Sequence, residues 1–121
     1  MRWLLHGNLT TATGDALRRH GHQVVELPDL AGDPIPDASG VLAAAKKAQL
    51  DVLTADPELA AAPFSTAAGF NRSLVFLQLA GGDVEQDDAV DRLFKRYKRL
   101  TPGRLYTVTG SRVKVRQLPV L

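Results

Sequence analysis

Cysteine is absent from this chain of 121 residues. Its absence excludes disulfide frameworks, thiolate metal sites and cysteine nucleophiles. The sequence also lacks any apolar run that approaches the roughly 20 residues of a membrane span, and the apolar start from Trp3 to Leu5 is too short for a signal peptide. We therefore expect a single domain over residues 1–121 that is soluble, cytoplasmic and not attached to a membrane.

The signatures of several common enzyme classes are missing as well. No Gly-x-Gly-x-x-Gly or phosphate-loop pattern follows an apolar run, which argues against binding of a dinucleotide or a nucleoside triphosphate. No serine lies in a Gly-x-Ser-x-Gly context, so a hydrolase triad is unsupported. The chemistry must be sought among carboxylates, histidines and basic residues.

Acidic residues are absent from the last quarter of the chain. Residues 92–121 contain 9 lysines and arginines and no acid, whereas residues 1–91 contain 13 acids and 6 basic residues. This asymmetry predicts an acidic pole and a basic pole, and it suits an anionic partner at the basic end. For most of these residues a solvated helix or strand face is the simpler interpretation.

Short apolar runs alternate with amphipathic stretches along the chain. This strand–helix–strand order is the signature of a parallel sheet with right-handed crossovers, so the predicted fold class is α/β. A long connection is expected from Pro28 to Gly40. The predicted strands are Trp3–His6, His22–Leu27, Leu50–Leu53 and Leu74–Leu79, with a terminal hairpin of Leu105–Thr109 and Val113–Arg116. The predicted helices are a first helix that Thr10 or Thr11 caps and Gly21 ends, followed by Val41–Gln49, Leu59–Ala62 and Asp83–Leu100.

The segment Leu53-Thr54-Ala55-Asp56-Pro57-Glu58 places two carboxylates directly after a buried strand. In open α/β sheets the ligand crevice lies outside the carboxyl ends of the strands, so this is a candidate site. An ordinary structural role is equally consistent with the local sequence. Aspartate is a common helix N-cap, proline suits the first helical position, and a following glutamate complements the helix dipole.

Several motifs together resemble small stand-alone PIN-like proteins, with toxins of the VapC type among their relatives. They are Asn8-Leu9 after the first strand, Leu17 to Val24 at the end of the first helix, Leu53 to Glu58, and the closing Val113 to Pro119. The resemblance covers nearly the whole chain. It implies a three-layer α/β/α fold and divalent-metal-dependent cleavage of single-stranded RNA. The partners that it implies are RNA and a cognate antitoxin protein, and a homodimer is a further alternative.

The resemblance also assigns metal ligands. Asp56 matches the acid after the central strand, and Glu58 matches the second acid of that motif as a longer carboxylate. Asp37 matches only after a shift of one residue, because Ala38 stands at the position of the expected acid. These residues, assisted by His6, would hold Mg²⁺ or Mn²⁺ for phosphodiester cleavage. The family's leading Asp-Glu is replaced by His6-Gly7, so the first metal carboxylate is missing.

Other candidate residues keep more than one interpretation. His6 is a metal ligand that changes the metal preference, a hydrogen-bonded structural histidine, or a trace of lost catalysis. Asn8 would orient a phosphate or a water, or it is a turn residue. A catalytically degenerate module that binds RNA or a protein is the alternative function. The residues predicted to contact RNA are Arg96, Arg99, Arg112, Lys114 and Arg116, of which the last three are expected to alternate outward along one strand.

Overall fold

Six strands and four helices make up the part of the chain that the computed structural model describes, which is residues 1–7, 9–26, 37–65 and 69–119. The strands are β1 (Arg2–His6), β2 (Gln23–Glu26), β3 (Asp51–Thr54), β4 (Leu74–Leu77), β5 (Arg104–Val108) and β6 (Val113–Gln117). The helices are α1 (Thr11–Arg19), α2 (Ala38–Lys47), α3 (Pro57–Ser65) and α4 (Asp83–Arg96).

The strands form one sheet in the order β2-β1-β3-β4-β5-β6. The first five are parallel to one another, and β6 runs antiparallel to β5 as the second strand of a hairpin. β2 therefore lies at the edge of the sheet on one side of β1, and β3 lies on the other side of β1. The predicted α/β class, the mainly parallel sheet and the C-terminal hairpin are all confirmed.

Two helices cover each face of the sheet, which confirms the three-layer α/β/α arrangement. Helix α1 packs against α4 on one face, and α2 packs against α3 on the other. Successive strand residues point to opposite faces, so neighbours in sequence enter different cores. The core beneath α1 and α4 includes Trp3, Leu53, Val75, Leu17 and Leu93. The core beneath α2 and α3 includes Leu4, Val52, Leu74, Leu42 and Leu59.

Three helix boundaries differ from the prediction. Helix α2 begins at Ala38 instead of Val41, because the Asp37 side chain caps it by accepting a hydrogen bond from the Gly40 N–H at 2.9 Å. Helix α3 runs from Pro57 to Ser65 and contains Pro63, whose burial offsets the hydrogen bond that a proline cannot donate. Helix α4 ends at Arg96, four residues early, because the next residue has an extended backbone.

The predicted connection from Pro28 to Gly40 lies mostly outside the described residues. None of the helices in the described ranges combines the length and the apolar character that a membrane crossing requires.

A buried carboxylate fixes the start of β3. Asp51 is 2 % exposed, its Oδ1 accepts a hydrogen bond from the Ser73 N–H at 2.9 Å, and the Arg72 Nε lies 3.6 Å away. Burial raises the pKa of Asp51 above its ordinary value of 3.8, although the Ser73 N–H and Arg72 act in the opposite direction. A raised pKa means that the folded protein holds this proton more tightly than the unfolded chain does.

The Asp51→Asn variant is expected to change how stability depends on pH. The contribution of Asp51 is fully present below pH 3.8 and is lost as the pH rises through the raised pKa. Because the amide keeps the acceptor for Ser73 and does not titrate, the variant should gain stability relative to wild type as the pH rises above 3.8 and through the raised pKa. Urea unfolding at several pH values measures this difference, and a constant difference would contradict the expectation. The Asp51→Ala control does not titrate either but also loses the acceptor, so it should be about 1–3 kcal/mol less stable than Asp51→Asn at every pH.

Candidate functional site

The candidate site lies where β1 and β3 end side by side. His6 and Thr54 are paired across these two parallel strands, at the carboxyl edge of the sheet. The strand order reverses here, because β1 connects outward to β2 while β3 begins the run toward β6. Ligand crevices of open α/β sheets form at such a switch point. The topology therefore agrees with the position at which the sequence predicts a site.

A hydrogen-bonded network joins His6, Thr54 and Asp56. The Thr54 Oγ1 lies 2.9 Å from the His6 Nδ1 and accepts a hydrogen bond from the Asp56 N–H, also at 2.9 Å. Thr54 is fully buried. Because the threonine is held by both neighbours, it fixes the orientation of the imidazole ring and the path of the backbone into the next helix.

His6 is neutral at pH 7 in this environment. Its partial burial lowers the pKa of the imidazole below 6.5, and the Asp56 carboxylate raises it by a smaller amount. A neutral ring can accept the Thr54 hydroxyl proton at Nδ1 and carry its own proton on Nε2, or it can donate from Nδ1 to the Thr54 Oγ1 and leave Nε2 as an acceptor. If Nε2 instead binds a metal, Nδ1 donates to Thr54, which is the usual outer partner arrangement of a metal-bound histidine. Thr54 can serve His6 in either role.

Gly7 lies where β1 comes close to the turn that follows β3. Its φ of +89° lies in the region that favours glycine, and a Cβ atom there would lie 3.2 Å from the Asp56 nitrogen and 3.3 Å from the Ala55 nitrogen. The β1 end is thus packed closely against the turn between β3 and α3. A glutamate at this position would require the turn to move.

Asp56 and Glu58 lie at the start of α3. The Asp56 Oδ1 accepts a hydrogen bond from the Glu58 N–H at 2.9 Å, so Asp56 is the N-cap of the helix. The second carboxylate oxygen, Oδ2, makes no hydrogen bond within the described residues. Glu58 is exposed in the first helical turn, where its charge complements the helix dipole. Asp56 therefore caps the helix with one carboxylate oxygen, and the other oxygen is available to bind a ligand.

Asp37 occupies the equivalent position on the neighbouring helix. It is the exposed N-cap of α2, and α2 packs against α3, so both helices start at the carboxyl edge of the sheet. Across residues 1–7, 9–26, 37–65 and 69–119, no three His, Asp or Glu side chains come close enough together to form a metal-binding group. The metal role of Asp37 therefore stays a prediction. Asn8, at the end of β1, lies outside the described residues.

Gln86 of α4 supports the same edge and was missed by the sequence analysis. Its Oε1 accepts hydrogen bonds from the Thr10 N–H at 2.9 Å and from the Thr13 hydroxyl at 2.6 Å. Gln86 is 5 % exposed. It joins α4 to the first turn of α1 and so fixes the segment that follows β1. The sequence did contain a signal for this contact, because Gln86 is a polar residue on the same helix face as the apolar Val90 and Leu93.

The predicted RNA-contacting residues divide between the two faces of the sheet. Arg96 and Arg112 line one cavity of about 570 Å³ between α4 and the hairpin. Lys114 pairs with Thr107, and Arg116 packs over the Phe64 ring at 4.0 Å on the face of α2 and α3. Arg112 departs from the expected alternation because it lies in the turn, where its carbonyl accepts from the Thr109 N–H.

Arg99 is exposed in the segment that follows α4 and does not line the cavity that Arg96 and Arg112 share. The single basic surface expected from the sequence is therefore two separate groups of cations and one isolated arginine. Helix and strand position alone could not show this division, since it depends on how the hairpin packs against α4.

A comparison of the chain with protein-family models, with curated proteins and with solved structures finds no match. The functional argument therefore depends on the geometry of this site and on the resemblance of its short motifs to PIN-like proteins.

Proposed function

We propose that the protein is a PIN-like, divalent-metal-dependent ribonuclease that cleaves single-stranded RNA in the cytoplasm, as the toxin of a toxin–antitoxin pair does. The observation that carries the proposal is the convergence of His6 and Asp56 on Thr54, where β1 and β3 end at the switch point of the sheet. A cognate antitoxin is the protein partner that this assignment implies, and a homodimer is the alternative assembly.

The side chains at this edge suit a hard divalent cation. Mg²⁺ usually binds through one or two carboxylates together with water and substrate phosphates, so Asp56 and Glu58 form an adequate minimal set. Asp56 has one oxygen outside its capping bond, and Glu58 is exposed beside it. Asp37, at the start of the neighbouring helix, would add a third carboxylate. A bound Mg²⁺ or Mn²⁺ would supply an activated water and neutralise charge that develops on the phosphate.

His6 contributes a proton-transfer group. Its ring is oriented by Thr54 through Nδ1, and its lowered pKa keeps it neutral at pH 7. With its proton on Nδ1 and donated to Thr54, the neutral imidazole can accept a proton at Nε2 and release it again. His6 also provides a nitrogen ligand, which suits Mn²⁺ better than Mg²⁺.

The test is a cleavage assay on a short single-stranded RNA with Mn²⁺, with Mg²⁺ and with chelator. We expect cleavage with metal, faster with Mn²⁺, and none with chelator. A duplex of the same sequence is the control and should resist cleavage. If the purified protein leaves the single strand intact with both metals, and calorimetry detects no binding of either ion, the nuclease proposal is wrong.

A non-catalytic module that binds RNA or a protein is the second candidate. It is favoured by the capping roles of Asp37 and Asp56 and by the His6-Gly7 end of β1 in place of two acids. In that case the His6→Asp variant, which returns the leading carboxylate, should bind Mn²⁺ about tenfold or more tightly than wild type. Measurable Mn²⁺ binding by wild type that equals binding by this variant would contradict the module, because the native residues would then already hold the ion.

A further inference from the structure

The cavity between α4 and the hairpin, which we call the α4–hairpin cavity, collects positive charge from two elements. Its lining residues are Arg92, Lys95, Arg96, Ser111, Arg112 and Val113. Four of these six are cationic and none is acidic. The ion pairs of the described residues involve Arg18, Arg19, His20 and Arg72, and none involves a cation of this cavity. Within the described residues, the four charges therefore have no carboxylate partner.

Arg92 makes the cavity a defined structure. Its guanidinium donates hydrogen bonds to the Thr109 carbonyl at 3.1 Å and to the Gly110 carbonyl at 3.0 Å. These bonds hold the hairpin turn against α4 and neutralise no charge, because both acceptors are uncharged. The spacing of Arg92, Lys95 and Arg96 places all three on one side of the helix. The cationic side chains thus surround a concave surface, and a concave surface concentrates the positive electrostatic potential in a small region.

Neighbouring cavities lie between the α4–hairpin cavity and the start of α3. It shares Arg92 with a depression at the end of β4, and that depression shares Gln78 with a groove beside α3. The groove begins at Pro57, between Asp56 and Glu58 in the chain. Two acids, Glu85 and Asp88, line the depression in the middle. Phosphate groups would therefore be held in the cavity and not in the depression.

We propose that the α4–hairpin cavity holds backbone phosphates of a single-stranded RNA that continues along the carboxyl edge of the sheet toward Asp56. This inference rests on the proposed ribonuclease function and selects one of two cation groups as the RNA anchor. Arginine suits the role because its guanidinium matches phosphate oxygens in two-point hydrogen bonding. The Ser111 hydroxyl adds a neutral donor. Lys114 and Arg116, on the other face, are not part of this anchor.

The experiment compares two variants that each remove two positive charges. One is Arg96→Gln with Arg112→Gln, in the α4–hairpin cavity, and the other is Lys46→Gln with Lys47→Gln, exposed in the last turn of α2 on the opposite face and outside the three cavities of the proposed path. Glutamine keeps most of each side-chain stem, and thermal melts check that both variants fold. Fluorescence anisotropy of a labelled oligouridylate is measured in chelator from about 50 to 200 mM salt, the range over which phosphate contacts weaken strongly.

The cavity variant should bind RNA about tenfold more weakly than wild type, since two charge-assisted contacts are lost. Its salt dependence should also fall, by a slope of about 1.4, because each single-strand phosphate contact contributes about 0.7. The opposite-face variant should bind much as wild type does. Equal losses in both variants, a larger loss in the opposite-face variant, or absence of RNA binding by wild type would overturn the proposal. Equally tight binding of polyglutamate would also overturn it, because the cavity would then recognise charge alone.

Binding is measured without metal, so its result is independent of catalysis. RNA that binds through the cavity and is never cleaved would contradict the ribonuclease proposal alone. RNA that is cleaved with unchanged efficiency by the cavity variant would contradict the anchor alone.

Discussion

Replacing Trp3 with alanine is expected to lower the free energy of unfolding by about 3–5 kcal/mol, the usual loss for a buried tryptophan. Trp3 is fully buried beneath α1 and α4. Its indole ring packs edge-on against the Phe94 ring at 6.3 Å and against the His22 ring at 6.2 Å. Alanine removes both contacts and leaves a cavity between β1 and α4 that the rigid layers cannot close.

Two controls make this prediction specific. The indole Nε1 of Trp3 is buried and has no hydrogen-bond partner among the described residues. Trp3→Phe removes that donor while keeping an aromatic ring, so it should cost less than about 1.5 kcal/mol. Val84→Ala, on the exposed side of α4 at 67 % exposure, should change stability by less than about 0.5 kcal/mol. Because Trp3 is the only tryptophan, urea unfolding is followed by circular dichroism. Equal losses in the alanine and phenylalanine variants would contradict the explanation.

The fold could be predicted because local signals and packing agree. The apolar run at Trp3-Leu4-Leu5 has no polar face, as expected for a strand covered on both sides, and it does lie between two helical layers. Gly21 ends the predicted first helix, and it adopts the φ of +83° that glycine tolerates best. The repeated strand–helix order then left few arrangements for the sheet.

The end of α4 depended on contacts that its residues make outside the helix. The helix prediction extended to Leu100 because Tyr97 and Leu100 continue the apolar stripe of α4. In the structure the chain leaves the helix at Tyr97, whose ring packs against Tyr106 at 5.4 Å. The Tyr106 hydroxyl then accepts a hydrogen bond from the Thr101 N–H at 2.8 Å. Tyr97 and Leu100 do pack in the apolar core, but they belong to the turn that leads into β5 and not to the helix.

The position of the candidate site could be predicted from the sequence, while the hydrogen bonds within it could not. The carboxyl end of β3 was selected because acids follow a buried strand, and topology places that end at the switch point. The contact of Thr54 with His6 spans 48 residues, and that of Gln86 with Thr13 spans 73. Such pairs follow from strand register and helix packing, which a single sequence does not encode in any local pattern.

Asp56→Asn separates the two roles of the central acid. Asparagine is as good an N-cap as aspartate, because its side-chain oxygen can still accept the Glu58 N–H. The variant should therefore keep its stability to within about 0.5 kcal/mol. It loses the negative charge that a divalent ion requires, so the affinity for Mn²⁺ and the rate of RNA cleavage should each fall by about 100-fold or more.

Asp56→Ala is the matched control for the cap, and it should lose about 1 kcal/mol of stability in addition to metal binding. Asp37→Asn is the control for the position of the substitution, because it makes the same chemical change at the N-cap of the neighbouring helix. The expected pattern is undiminished stability and lost metal affinity in Asp56→Asn, measured by thermal melts and calorimetry on the same preparations. If Asp56→Asn binds metal as tightly as wild type, Asp56 is only a helix cap. The negative charge of its carboxylate would then not be needed to bind the ion.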